Sequence, residues 1–138
     1  MTLIKYPVNH VGIVVPTKHI QELEIEFDSF FVRDETQGCS VLFAFDNKLK
    51  TYKEFITQEG RATKYEIGFH HVCYDLKDLE EYKGLHRQLI SNGANVRLTM
   101  PEKSAAEDYC NFVSFYFIQN IGIVEFNILD ASDLGKAS

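Results

Sequence analysis

Apolar and polar positions along this chain follow two periods, and together they divide it into eight strand-like and two helix-like runs. Val8–Val15 is rich in β-formers and is closed by Pro16, which cannot donate into a ladder. Lys18–Phe30 then places Ile20, Leu23, Phe27 and Phe30 at helical spacing with acids between them. Strands are predicted over 31–36, 39–46 and 51–57, split by the turn residues Gln37-Gly38 and Asn47-Lys48. The polar stretch Gln58–Glu66 interrupts the pattern, and the same order then begins again. Phe69–Leu76 is a strand. Lys77–Asn92 is a helix with Leu79, Tyr82, Leu85 and Leu89 on one face, ended by Gly93 in the way a glycine just past a helix does. Strands over 95–100, 111–118 and 121–129 complete the series, and the small, polar tail Ala131–Ser138 is expected to fray.

Strand-helix-strand-strand-strand therefore occurs twice, and short matches in the sequence support an internal duplication. NHVGIVV (9–15) aligns with HHVCYDL (70–76), and KEFIT (53–57) aligns with VEFNI (124–128). His10 then corresponds to His71 and Glu54 to Glu125. The second unit is longer, mainly through the insert Pro101–Tyr109. The expectation is one α+β domain over 1–138, with a first βαβββ module at about 7–57 and a second at about 68–129.

Composition narrows the function. With 138 residues, 45% hydrophobic and 25% charged, the chain can build a core. Its 14 Lys+Arg against 20 Asp+Glu leave −6 at pH 7, which argues against nucleic acid or an anionic membrane held by a basic face. No apolar run reaches the roughly 20 residues of a membrane span. The opening MTLIKYPVNH lacks the apolar core of a signal peptide, so a soluble, cytoplasmic protein is expected. Cys39, Cys73 and Cys110 are odd in number, widely spaced and set in or beside apolar segments, so they read as buried small hydrophobes. A nucleophilic cysteine beside His70 or His71 has no orienting pattern to support it.

Each half supplies one histidine on its first strand and one glutamate on its last. Side chains alternate along a strand, so His10 shares a face with Val8, Gly12 and Val14, and Glu54 with Tyr52 and Ile56. His71 goes with Phe69 and Cys73, and Glu125 with Ile123 and Asn127. A carboxylate on an apolar strand is costly to bury unless a cation compensates it. If each half curls into a cupped sheet, two imidazoles and two carboxylates can converge on one divalent ion such as Zn, Ni, Co or Mn. His70, next to His71, is expected on the opposite face, and His19 and His86 are expected to be solvated on helices. Tyr52, Phe69, Tyr116 and Asn127 are candidates for the pocket wall.

The segments NHVGIVV, QGCSVLFAF, KEFIT, FHHVCYDL and VEFNI resemble the vicinal oxygen chelate superfamily over about residues 7–129. This is the group of glyoxalase I, extradiol dioxygenases, bleomycin- and fosfomycin-resistance proteins and methylmalonyl-CoA epimerase. The epimerase-like branch is the most similar, in its opening strand, in the turn before its third strand and in its fifth strand. The resemblance implies paired βαβββ modules, a cupped mixed sheet around one divalent metal and usually a homodimer. Its ligand positions fall on His10, Glu54, His71 and Glu125. The chain departs from the epimerases at 104–112, where SAAEDYCNF replaces a glycine-rich stretch, and at FDSFFVRD (27–34), which lacks their Leu-Gly-Phe connection.

The chemistry expected of such a site is proton abstraction next to a carbonyl, with the metal stabilising the resulting enolate and Glu54 or Glu125 as base. The reading is an epimerase or isomerase of the methylmalonyl-CoA epimerase type, acting on a thioester or carbonyl compound. The alternatives are a glyoxalase I-like (lactoylglutathione) lyase and a non-catalytic small-molecule binding or resistance protein. Extradiol dioxygenases usually hold iron with two histidines and one carboxylate, whereas this chain offers two of each.

Overall fold

The structure, a computed structural model, describes residues 3, 5–106 and 108–132. Among them are nine strands and two α-helices: β1 (Val8–Val15), α1 (Ile20–Phe27), β2 (Val32–Asp34), β3 (Cys39–Asp46), β4 (Thr51–Thr57), β5 (Gly68–Asp78), α2 (Leu79–Ser91), β6 (Val96–Arg97), β7 (Glu102–Lys103), β8 (Phe112–Ile118) and β9 (Gly122–Asp130). The fold is α+β, as the periodicity predicts, and its strand pairing is mixed, as the resemblance implies. The chain divides into two compact units, His10–His71 and the described residues of Met1–Asn9 with Val72–Ser138. The division cuts β1 after Asn9 and β5 after His71.

Within the first unit the strand order is β2-β3-β4-β1, antiparallel except where β1 runs parallel to β4. In the second unit the order is β6-β8-β9-β5, with β7 also pairing β8. The two orders are the same when β1 is matched to β5, β2 to β6, β3 to β8 and β4 to β9. The internal duplication is thus repeated in the topology.

α1 is shorter than the predicted Lys18–Phe30. Pro16 leads into a 3-10 turn over Thr17–His19, closed by the His19 N–H on the Pro16 carbonyl at 3.1 Å. At the other end Asp28 takes the left-handed conformation (φ 48°), which its short side chain tolerates better than most. Its N–H and that of Ser29 cover the last helical carbonyls. Phe30 therefore falls outside the helix and is 78% exposed. Leu23 and Phe27 pack against Leu42, Ala44 and Phe55 of the sheet.

α2 matches its prediction closely. Asp78 caps it by accepting from the Glu81 N–H at 3.0 Å, and the Glu81 carboxylate reaches back to the Lys77 N–H, also at 3.0 Å. Tyr82, Leu85 and Leu89 are its buried residues, packed with Leu76, Tyr116, Val124, Phe126 and Ile128. Gly93 follows with φ 74°.

The predicted strand 95–100 is reduced to Val96–Arg97, and a short strand, β7, forms inside the predicted insert. Thr99 is the cause. Its hydroxyl accepts from the Phe115 N–H at 2.9 Å and its carbonyl accepts from Ser114 Oγ at 2.7 Å, so the side chain takes a ladder position. Leu98 and Thr99 both donate to the Phe115 carbonyl, and Pro101 then bars a continuous ladder. In the tail, Ala131 is buried in the α2 cluster and Ser132 donates to Asp130; residues 133–138 of the stretch expected to fray lie outside the described residues.

Candidate metal centre

Three of the four expected donors lie in the first unit, and the fold brings them together. The parallel pairing of β1 and β4 sets Gly12 opposite Glu54 and His10 opposite Tyr52. His10 and Glu54 are therefore diagonal neighbours on one face, within reach of each other's long side chains. His10 Nε2 stands 3.1 Å from His71 Nε2, and each of these nitrogens is 3.5 Å from Glu54 Oε1. The imidazoles are 1% and 2% exposed and the Glu54 side chain 14%, so the carboxylate is the accessible member.

The spacing fits a shared ion. Donors bound at about 2.1 Å stand about 3.0 Å apart at a right angle and about 3.4 Å apart at a tetrahedral angle. The 3.1 Å separation falls within this range and the two at 3.5 Å lie about 0.1 Å beyond it. Two imidazoles and a carboxylate are also the donor set of a borderline divalent metal.

The rings are held from several sides. His10 meets Phe43 edge-on at 5.2 Å and His71 at 5.2 Å, with ring planes at 81° and 88°. Gly12 makes room for His71: a Cβ there would run into Cε1 and Nδ1 of that ring. A glycine inside an apolar strand signals close approach of this kind, and it is the cue that could have singled out Gly12.

His70 differs from its expected placement on the opposite face. Its backbone position alternates as predicted, but the ring turns back so that its Nδ1 lies 2.8 Å from His71 Nδ1. The His70 ring also packs on Tyr65 at 4.2 Å.

Glu125 belongs to the second unit. It sits on β9 opposite Phe115, 5% exposed, on the strand face away from α2. Its carboxylate lies near Cys73, whose thiol burial pushes well up, with hydrogen bonding to Cys110 and the Glu125 charge adding to the effect. Burial likewise raises the Cys39 thiol, with Asp34 and Glu54 contributing. All three cysteines are buried, as expected, and the raised thiols of Cys39 and Cys73 are poor nucleophiles.

Two other expectations need correcting. Tyr116 does not stand in a pocket wall; it is fully buried on the α2 face, donating to Tyr82 Oη at 2.9 Å and meeting His86 Nδ1 at 2.7 Å. His86 is accordingly half-buried rather than solvated, and burial, then Arg97 and Arg87, lowers its pKa. His19 keeps 43% of its side chain exposed, beside Glu22. Tyr52 and Phe69 are exposed at 38% and 62%, while Asn127 is buried, donating to Asp75 Oδ1 and accepting from the Asn111 N–H. No helix among the described residues is long and apolar enough to cross a membrane.

No protein-family model and no curated protein sequence matches the chain. Solved structures do. A hypothetical protein from Bacillus halodurans superposes with a TM-score of 0.64 at 17% identity, over 90% of this chain and 94% of that one. Methylmalonyl-CoA epimerase from Mycobacterium tuberculosis gives a TM-score of 0.62 at 17% identity, over 95% and 92%. The Streptomyces coelicolor methylmalonyl-CoA epimerase, in complex with 2-nitronate-propionyl-CoA, gives 0.59 at 14%, over 89% and 96%. At these identities the likeness is one of fold, and it agrees with the duplicated topology: the chain has the mixed α+β, glyoxalase-like fold seen in the methylmalonyl-CoA epimerases.

Proposed function

We propose that this protein is a divalent-metal-dependent epimerase or isomerase that removes a proton next to the carbonyl of a small acyl compound, a thioester of the methylmalonyl-CoA type. The observation that carries the reading is the convergence of His10, His71 and Glu54 at 3.1 to 3.5 Å, in a fold shared with epimerases. Glu125 enters as fourth ligand on the strength of the duplication that matches it to Glu54. His10, His71 and Glu54 would hold a divalent ion, which when bound would supply Lewis acidity toward a carbonyl oxygen. His10 and His71 present Nε2 lone pairs when their protons sit on Nδ1. Glu54, the more accessible donor, would accept the proton, and delivery of a proton to the opposite face of the flattened carbon would complete the inversion; Glu125 is the other candidate for the base.

The test combines metal content and exchange. Purified protein is stripped with chelator and reloaded with Zn, Ni, Co or Mn, and bound metal is measured by elemental analysis. The expected result is about one ion per chain, lost in His71→Ala and His10→Ala and reduced in Glu125→Gln. Deuterium exchange at C2 of a 2-methylmalonyl thioester should then fall far more in Glu54→Gln than metal content does. Absence of metal uptake overturns the reading. Exchange on thiohemiacetals in place of thioesters turns it to the glyoxalase I-like lyase.

A further inference from the structure

His70 stands beside the candidate centre, the proposed chemistry assigns it no role, and its geometry with His71 is specific. The two Nδ1 atoms are 2.8 Å apart, with ring planes at 88° and centroids at 5.0 Å. At that separation one nitrogen carries a proton and the other a lone pair. His71 directs its other nitrogen, Nε2, at His10 and Glu54. The state of the Nδ1 pair therefore decides what His71 shows the centre. A proton on His71 Nδ1 leaves a lone pair at Nε2, ready for a cation, whereas a proton on Nε2 blocks it.

The acceptor is itself held in place. The His70 ring lies on Tyr65 at 4.2 Å. Tyr65 follows the 3-10 turn Gly60–Lys64, donates its N–H to Ala62 and accepts from Gln58 Nε2 at 2.8 Å. Tyr65 also packs against the cluster of Val14, Cys39, Ile56 and Ala62. The polar stretch 58–66, which reads in the sequence as an interruption, thus supports the ring behind His71.

We propose that His70 is a positioning residue that accepts the Nδ1 proton of His71, fixing the tautomer and ring orientation in which His71 Nε2 faces the metal. The proposal rests on the metal reading above and adds a residue to it. Outer partners of metal-bound histidines act in this way, and their loss typically lowers metal affinity about 10- to 100-fold.

Two variants and two readouts test it. His70→Leu keeps an apolar side chain over Tyr65 and removes the acceptor; His70→Asn restores an acceptor oxygen near the position of Nδ1. Affinity for Co(II), measured by its visible absorption in competition with a chelator, should fall about 10- to 100-fold in His70→Leu and recover most of that loss in His70→Asn. Long-range nitrogen–proton spectra of the metal-free protein, above the imidazole titration range, should show His71 protonated at Nδ1 in the wild type and His70→Asn, with that preference lost in His70→Leu. Unchanged affinity in His70→Leu, or His71 protonated at Nε2 in the metal-free wild type, overturns the proposal. If the wild type takes up no cobalt at all, the metal reading fails by itself, and the spectra still decide whether His70 sets the tautomer.

Discussion

At the scale of single residues, the site depends on an absent side chain as much as on those present. Gly12 lies opposite Glu54 in the β1–β4 pairing and directly against the His71 ring, so Gly12→Ala must displace that ring or the strand. Overpacking of this kind costs about 1 to 3 kcal/mol. The variant is expected to unfold at lower temperature and to bind Co(II) at least about tenfold more weakly, because the displaced nitrogen belongs to a proposed ligand. Chelator competition and thermal unfolding measure the two effects separately, and undiminished affinity would show that the ring does not bind where the structure puts it. The identities of His10, Glu54 and His71 were legible in the sequence, because strand alternation and the duplication single them out. The turning back of His70 was not, because strand alternation reports the backbone position and not the rotamer, which packing on Tyr65 and the contact with His71 select.

At the scale of elements, turns and caps account for most differences from the periodic pattern. Asp46 closes the β3–β4 turn: its carboxylate accepts from the Lys48 and Leu49 N–H groups at 2.8 and 2.9 Å and pairs with Lys53 at 3.0 Å. The backbone bond from Leu49, then Lys53, lowers its pKa from 3.8 to about 2. A carboxylate whose folded pKa is depressed adds stability above its unfolded pKa, and that contribution is lost as pH falls through the folded value. Asp46→Asn should therefore be less stable than the wild type at pH 7, and the difference should shrink between about pH 4 and pH 2. Urea midpoints across that range measure it; parallel curves for the two proteins would count against the charge effect. The same kind of local chemistry explains the split of the predicted strand 95–100. Apolar alternation continues through Leu98 and Met100, but the Thr99 hydroxyl displaces a ladder bond and Pro101 removes a donor. Periodicity reports which face a residue occupies and is insensitive to such side chain–backbone bonds, so element types were legible and the boundaries near Thr99 and Asp28 were not.

At the scale of the whole molecule, ligand linkage gives a test that needs no substrate. A ligand that binds only the folded chain adds about 2.7 kcal/mol at a concentration 100 times its dissociation constant. For a chain of 138 residues that is about 9 °C in Tm. Cobalt or zinc should raise Tm by about this amount in the wild type and leave His71→Ala unmoved; an equal shift in both would place the ion elsewhere. The order of elements, the apolar face of α2, the repeated strand-helix-strand-strand-strand plan and the types of donor available were all determined by the sequence alone. Each of these is a local property: backbone period, turn residues and caps act within a few positions, and a duplication repeats them. Tertiary structure alone decided that β1 and β4 align in the register that makes His10 and Glu54 neighbours, that three donor atoms stand 3.1 to 3.5 Å apart, and that Tyr116 turns toward α2. Those outcomes depend on strand register and on packing between residues tens of positions apart, where many arrangements satisfy the same local pattern and only the folded chain selects one.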